Sequence, residues 1–389
     1  YWHKIEDFEK MYKERVRDFT TSVAFSHATS NVFDYTGNKE PLFLSRGAVE
    51  KNLSHEDLNE NPFEIDNSIP KNKKSLAVKV ATMSAVKKAL SAGADYVYLG
   101  AEVSPVRGEG WTKEDLQDAV DMAHDMGRKI AYGTPRICTS RELSEIEWLF
   151  DIGSRVGVDG ILVHNLGAIH CAKQFDLDMF ADFSFNILNT GSIEMLEKLG
   201  VKRITSSIES SFNDMYKLAS HSTIPVESIV HGSLPSMLLE HCLPAMLVTK
   251  TNAKSGCRLP CRYINYALKD EKGEVRTIEV DQYCRNHIMF ASDLCVLPYL
   301  NSFLMTDVEM FRIEAQYYED DLVETVVNQY RKRMDLLMEN PTVFCPLPES
   351  EWNNMVEKSP KGLSLCAYSQ NVTHSRSTLE VMKKATQAN

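Results

Sequence analysis

The sequence contains no long hydrophobic run. Its charge-free stretches reach about a dozen residues, as between Asp293 and Asp307, whereas a helix that crosses a bilayer needs about 20 apolar residues. The first residues, Tyr1 to Asp7, do not resemble a signal peptide. We therefore expect neither a membrane span nor a secretion signal.

Basic residues are outnumbered by acidic ones. The chain has 43 Lys and Arg against 54 Asp and Glu, a net charge of −11. A negative field opposes non-specific nucleic-acid binding, so nucleic acid is not the expected partner, although a local basic patch would still permit it. Nine cysteines in a chain without a secretion signal favour metal or redox chemistry in a reducing compartment over a disulfide framework. We expect a cytoplasmic location.

Short apolar strands alternate with helical segments after Lys74. The strands are predicted at 76–81, 94–99, 129–132, 160–163, 179–183, 203–206, 225–230 and 310–314. Such repeats predict parallel strands joined by crossover helices. Eight strands favour an α/β fold, a (β/α)8 TIM-type barrel. An open doubly wound sheet is disfavoured because no Gly-x-Gly-x-x-Gly motif follows the first strand.

The interval between the seventh and eighth strands is too long for a simple crossover. We predict an N-terminal extension at 1–73, a barrel at 74–338 and an irregular tail at 339–389 with one short terminal helix. A cysteine-rich insertion occupies 231–308. Barrel enzymes carry their chemistry on the loops that follow strands, so the insertion is the expected functional region.

Five cysteines fall inside this insertion, with the spacing Cys-x14-Cys-x3-Cys-x22-Cys-x10-Cys. They are Cys242, Cys257, Cys261, Cys284 and Cys295. Four thiolates suit a [4Fe-4S] cluster or a zinc ion. Zinc sites usually have two short cysteine pairs and this sequence has one, which favours iron–sulfur over zinc. Buried free cysteines are the third interpretation. For the scattered Cys138, Cys171, Cys345 and Cys366 we favour core packing or an idle surface position.

Several stretches resemble the collagenase-like peptidase family, peptidase U32. Three stretches of this chain are similar to the signature region of that family. They are Ser-Ile-Val-His-Gly-Ser-Leu-Pro at 228–235, Glu-His-Cys at 240–242 and Gly-Cys-x3-Cys at 256–261. The segments 93–102, 290–295, 311–314 and 323–334 agree as well. The resemblance covers about 74–338.

The resemblance implies a [4Fe-4S] barrel protein in oxygen-independent, anaerobic hydroxylation of ubiquinone precursors, tRNA or rRNA, with prephenate as oxygen donor. The likeness is greatest to the accessory pair of the ubiquinone pathway, which implies a homologous barrel chain as partner. The family name implies peptidase activity as the alternative. A non-catalytic, cluster-bearing partner of such a barrel is a third hypothesis.

The resemblance also implies the ligand set. Family members that lack a cysteine at the place of Pro235 take a ligand elsewhere, and here Ser104 excludes one such source while Cys284 occupies the other. The implied ligands are Cys242, Cys257, Cys261 and Cys284, with Cys295 as the reserve. Ala315 and Gln316 stand where many members have Gly-Arg, so a family arginine is absent.

Residues at the carboxyl ends of the strands are expected to face the barrel mouth. They are Glu102, Arg107, Arg136, His164, Asn165, Asp182, Asn186, Glu209, His231 and Glu314. We predict that His231, beside the insertion, and Glu314 are catalytic. Arg107, Arg136 and His164 would bind a small carboxylate-bearing molecule such as prephenate, because paired arginines bind carboxylates strongly. No His-Glu-x-x-His or Gly-x-Ser-x-Gly motif supports hydrolysis.

Overall fold

The computed structural model describes residues 51–59, 61–63, 73–104, 110–250, 256–269, 273–339 and 345–369. Arg107 and most of the predicted N-terminal extension at 1–73 lie outside these ranges. None of the helices within them is long and apolar enough to cross a bilayer.

Seven parallel strands come first along the chain. They are β1 Ser75–Val80, β2 Tyr96–Leu99, β3 Lys129–Gly133, β4 Ile161–Val163, β5 Met179–Ala181, β6 Val201–Thr205 and β7 Val226–Gly232. Six helices connect them: α1 Met83–Ser91, α2 Lys113–Asp125, α3 Leu143–Val156, α4 Leu166–Ala172, α5 Thr190–Lys198 and α6 Phe212–Ser220. Each strand pairs in parallel with the next.

The long insertion forms a small sheet of its own before the barrel closes. Its strands are β8 Pro235–Leu239, β9 Tyr266–Lys269, β10 Val275–Val280 and β11 Asn286–Met289, in the antiparallel order β8-β11-β10-β9. The chain then passes through β12 Ser292–Cys295, which pairs with β7, and the short helix α7 Leu300–Leu304.

The eighth barrel strand is β13 Met310–Glu314. It pairs in parallel with β1 on one side and β7 on the other, and this closes the eight-stranded barrel. The long helix α8 Asp320–Glu339 follows. The predicted α/β barrel, with its insertion between strands seven and eight, is confirmed.

Helix starts follow from local side chains at several connections. Thr112 and Asp115 form a reciprocal capping box at the start of α2, and Asn165 and Asn189 cap α4 and α5. The sequence suggests Ser140 as the cap of the helix after β3, but this is wrong. Helix α3 begins at Leu143, because Glu142 turns back to accept a hydrogen bond from the backbone N–H of Thr139.

Segments flanking the barrel pack against it. Phe63, within the predicted extension, is buried and stacks on Phe212 with ring centroids 4.3 Å apart. In the predicted irregular tail, the helix α9 Glu349–Lys358 buries Trp352, and the strand β14 Gly362–Ser364 pairs with β12. A three-residue strand has too few residues to show an alternating pattern, which is why the tail reads as irregular.

The barrel interior has an apolar layer beneath a charged one. The apolar layer is lined by Ala77, Tyr96, Tyr98, Ala131, Leu162, Phe180 and Met310. The charged layer lies towards the carboxyl ends of the strands, where the candidate site is found.

Candidate functional site

A fully buried arginine, Arg312 of β13, organises the charged layer. Its guanidinium forms ion pairs with Asp182, with Glu227 at 2.8 Å and with Glu314 at 2.9 Å. Lys79 of β1 lies 3.6 Å from Asp182 and 3.9 Å from Glu314. Arg203 of β6 adds a third cation, with its Nε 3.3 Å from Glu227. Three cations thus face three carboxylates in the barrel, and each charge is compensated by its neighbours.

Glu314, one of the two predicted catalytic residues, belongs to this network. Its side chain is 4% exposed and its carboxylate contacts Arg312 and Lys79. The structure therefore brings Glu314 to the barrel interior as expected, with its charge engaged by two cations.

His164 lies at the edge of the same network. Its Nε2 is 3.2 Å from Asp182, and its Nδ1 lies 2.9 Å from the hydroxyl of Ser184. Burial lowers the pKa of His164 to about 3, although the charge of Asp182 opposes the shift. The imidazole is therefore neutral near pH 7, and both of its nitrogens already have partners in Asp182 and Ser184.

His231, the other predicted catalytic residue, does not face the barrel mouth. The pairing of β7 with β13 shifts by one residue here, since Arg312 pairs with Ile229 but Ile313 pairs with His231. This bulge at Val230 turns the imidazole towards α8, where its Nδ1 lies 3.4 Å from the hydroxyl of Tyr330. Strand alternation alone cannot reveal the bulge, so the expected position of His231 is corrected.

Arg136 follows β3 and is held by Glu102, which follows β2. The Nε of Arg136 donates to Glu102 at 2.9 Å, and the backbone N–H of Arg136 donates to the other carboxylate oxygen at 2.9 Å. Burial opposes ionisation of Glu102, but Arg136, His287, His164 and the backbone hydrogen bond together outweigh burial and lower the pKa of Glu102 to about 2. Arg107, its predicted companion, lies outside the described residues.

A histidine that the sequence analysis missed completes this corner of the site. His287 of β11 is fully buried, contacts Arg136 through Nδ1 and lies 3.0 Å from Asp281 through Nε2. The sequence signal was the position of His287 inside the functional insertion, three residues after Cys284.

The insertion lies over the carboxyl ends of β2 and β3. Gln282 donates to the carbonyl of Ala101 at 2.5 Å and accepts from the N–H of Val103 at 2.8 Å. Arg285 forms an ion pair with Glu142 at 2.9 Å. The tip between β10 and β11 therefore covers the barrel mouth at the place where Arg136 and Glu102 emerge.

Four cysteines of the insertion share one neighbourhood. Burial, and after it the nearby Cys242, Cys257 and Cys261, raise the pKa of Cys284 to about 11. Burial also raises the pKa of Cys261, again with Cys242 and Cys257 as its neighbours. The structure thus brings together the four implied ligands from three separate turns.

The turns that carry these thiols have unusual backbone. Arg258 and Leu259, between Cys257 and Cys261, adopt left-handed conformations with φ of 59° and 49°. Cys284 has φ of 63°. Left-handed backbone at non-glycine residues costs free energy and collects at functional sites, so these turns support a ligand-binding role for the thiols.

Cys295 is separate from the other four. It is fully buried in β12, where burial raises its pKa to about 12 and Tyr330 is a hydrogen-bonding neighbour. This environment is typical of a core cysteine.

Within the part of the chain that the structure describes, one group of three potential metal-ligating atoms lies within 4.8 Å of one another. It consists of Glu102, Asp281 and His287. No three of the four thiols are that close together. Tetrahedral zinc, with Zn–S bonds of about 2.3 Å, would hold its sulfurs about 3.8 Å apart. The four thiols are thus not arranged around one tetrahedral ion in this structure.

Comparison with known proteins gives a family and several relatives. A profile of Peptidase family U32 matches residues 81–376. The chain is 25% identical to an uncharacterized protease of Methanocaldococcus jannaschii, over 66% of this chain and 64% of that protein. It is 24% identical to 23S rRNA 5-hydroxycytidine C2501 synthase of Escherichia coli, over 65% of this chain and 38% of that protein.

A third relative is tRNA hydroxylation protein P1 of Bacillus subtilis. The identity is 21%, over 74% of this chain and 68% of that protein. The chain thus spans between 38% and 68% of the length of these three relatives.

Proposed function

This chain belongs to peptidase family U32, and we propose that it is an iron–sulfur barrel protein that acts in oxygen-independent hydroxylation or a related oxygen transfer. The observation that carries the proposal is the convergence of four free thiols in the insertion that covers the barrel mouth. Two relatives are by name an rRNA hydroxycytidine synthase and a tRNA hydroxylation protein, which supports the same class of reaction.

The thiols Cys242, Cys257, Cys261 and Cys284 would hold a [4Fe-4S] cluster. Arg262 lies close enough to Cys261 to lower the pKa of that thiol against the effect of burial. Positive charge beside the thiolates would offset the negative charge of a bound cluster. When bound, such a cluster supplies one-electron transfer.

The chain's own residues would bind and orient a small carboxylate-bearing molecule, for which we propose prephenate. Arg136 presents a guanidinium that is 10% exposed and fixed by Glu102. A preorganised, partly desolvated guanidinium binds a carboxylate with little reorganisation. The covering insertion would exclude water from this corner. A homologous barrel chain as partner and a cytoplasmic location are part of the same proposal.

Peptidase activity is the alternative, which the family name and the name of the Methanocaldococcus jannaschii relative support. The nearest nucleophile and base in sequence are Cys242 and His241. His241 directs its Nε2 to the sulfur of Met246 at 2.9 Å, whereas a cysteine protease pairs the imidazole with the thiol. The described residues therefore favour the iron–sulfur proposal over the hydrolytic one.

Anaerobic purification with iron and sulfide analysis tests the cluster. We expect roughly four of each per chain and a broad visible absorbance that is lost in air. Cys284→Ala should abolish or cripple the cluster, because a ligand is removed. Cys295→Ala is the matched control and should retain it.

Two results would contradict this proposal. One is wild-type protein that contains zinc or no metal, and the other is loss of iron from Cys295→Ala but not from Cys284→Ala. The cluster-loaded protein should also bind prephenate in a calorimetric titration. If it binds no prephenate, the proposed ligand is wrong. If iron is retained but a peptide substrate is cleaved, the peptidase alternative gains support.

A further inference from the structure

Asp281 holds the turn that carries Cys284. One carboxylate oxygen, Oδ1, accepts hydrogen bonds from the backbone N–H groups of Tyr283 and Arg285, each at 2.9 Å. The backbone carbonyl of Asp281 accepts from the N–H of Cys284 at 3.0 Å. These three bonds stabilise the left-handed conformation of Cys284, so the direction of its thiol depends on Asp281.

The other carboxylate oxygen of Asp281 faces His287. Oδ2 lies 3.0 Å from Nε2 of the imidazole, and both residues are almost completely buried. A carboxylate only accepts hydrogen bonds, so Nε2 must carry a proton. A guanidinium only donates, and Arg136 contacts the opposite nitrogen, Nδ1. With these partners, Nε2 donates to Asp281 and Nδ1 accepts from Arg136.

The guanidinium of Arg136 is thereby held between two elements. Glu102, at the end of β2, binds its Nε at 2.9 Å, while His287, on β11 of the insertion, contacts one terminal nitrogen. Phe183 lies beneath it, 5.9 Å from ring centroid to guanidinium carbon. The barrel holds one edge of this side chain, and the insertion determines where the other edge points.

We propose that Asp281 and His287 are positioning residues that couple the turn carrying Cys284 to the guanidinium of Arg136. The inference deepens the proposed function, on which it rests for the role of Arg136 in carboxylate binding. A change at the thiol site that moves this turn would move Asp281, reorient His287 and alter the direction of Arg136. Carboxylate binding at the barrel mouth would thus depend on the state of the thiol site.

A metal ion is the competing interpretation of Glu102, Asp281 and His287, because their ligand atoms lie within 4.8 Å. Arg136 argues against it, since its guanidinium already contacts both Glu102 and His287. A divalent cation would have to displace this charge. We therefore assign the compensating positive charge to Arg136.

The first test needs no ligand. Long-range proton–nitrogen NMR spectra of the ¹⁵N-labelled full chain report which imidazole nitrogen carries a proton. The signals of His287 are identified as those missing from His287→Gln, and near pH 7 they should show a protonated Nε2 and an unprotonated Nδ1. An imidazole of His287 that is protonated on Nδ1, or on both nitrogens, would overturn the proposal.

The second test measures coupling. Cd²⁺ binds soft thiolates and serves as the probe of the four cysteines. Its addition should shift the Nε–H signal of Arg136 in the wild type but not in His287→Phe, although both proteins bind the ion. A shift that persists in His287→Phe would contradict the coupling. A second control uses a variant that lacks all four thiols. If that variant binds one Mn²⁺ per chain, and the binding is lost when His287 is replaced, the site is a metal site and the proposal is contradicted.

The third test uses prephenate and a conservative rescue. His287→Phe keeps a ring but removes both hydrogen bonds, and should weaken prephenate binding by about tenfold, the size of one charge-assisted contact. Gln retains one donor and one acceptor, so His287→Gln should recover most of that loss. Equal affinity of wild type and His287→Phe would refute the positioning role. If the wild type binds no prephenate, the proposed ligand fails while the two NMR tests still decide the coupling.

Discussion

His231 shows how burial alone can make one residue sensitive to acid. Burial lowers the pKa of its imidazole to about 3, and its Nε2 has no hydrogen-bond partner among the described residues. The unfolded chain takes up this proton below an ordinary pKa of about 6.5, whereas the folded chain does not until about pH 3. The stabilising effect of the neutral form is therefore complete above pH 6.5 and is lost as the pH falls towards 3.

We predict that His231→Gln flattens this acid dependence. The variant lacks the titrating group, so its free energy of unfolding should fall less steeply than that of the wild type between pH 7 and 5. Below pH 6.5 the two slopes should differ by up to about 1.4 kcal/mol per pH unit. Urea unfolding at the two pH values measures the difference. His221→Gln is the control, because His221 is exposed in the folded protein and meets water in both states. Equal slopes for wild type and His231→Gln would contradict the prediction.

At the scale of elements, close packing of two strands requires a glycine at the end of β7. Gly232 ends β7 with φ of 124°, and a Cβ there would collide with the backbone carbonyl of Glu314 in β13. The glycine therefore allows the two strands to approach immediately after the bulge at Val230. Without that approach the pairing that closes the barrel would be disturbed at its carboxyl end.

Gly232→Ala should destabilise the protein by about 3 kcal/mol or more, because both the backbone conformation and the steric clash are unfavourable. Gly127→Ala separates the two effects. Gly127 also has a positive φ, 65°, but no atom lies within 4 Å of its added Cβ, so we expect about 1–2 kcal/mol. Urea unfolding of both variants tests the difference, and a smaller loss for Gly232→Ala than for Gly127→Ala would be inconsistent with the clash.

The charged layer acts at the scale of the whole barrel. Arg312 joins carboxylates that follow or belong to three strands, namely Asp182 after β5, Glu227 on β7 and Glu314 on β13. Removing one member of a buried ion network leaves its partners charged and uncompensated. The network therefore makes strands that are distant in sequence depend on one another.

Replacing this arginine should destabilise the fold strongly. We expect Arg312→Met to lower the free energy of unfolding by about 3–5 kcal/mol. Arg155→Met is the matched control, since Arg155 is 70% exposed and pairs with Asp151 one helical turn away, and its loss should be within about 0.5 kcal/mol. A urea midpoint for Arg312→Met that matches that of Arg155→Met would show that the network is not stabilising.

The sequence by itself determined the order of elements, the barrel and the place of the insertion. Alternating strands and helices depend on residues that are neighbours in the chain, and caps such as Thr112 with Asp115 act over three residues. The cysteine spacing likewise directed attention to the region between β7 and β13. These signals come from residues that are close together in the chain, so they can be read from the sequence.

Only the tertiary structure decided which side chains meet. The bulge at Val230 reverses the direction of His231, and a one-residue shift in register is invisible to strand alternation. The contact between His287 and Arg136 joins residues 151 positions apart, through an insertion folded over the barrel mouth. Such contacts depend on register, loop path and packing together, so the residues around Arg136 could be assigned only once the chain was folded.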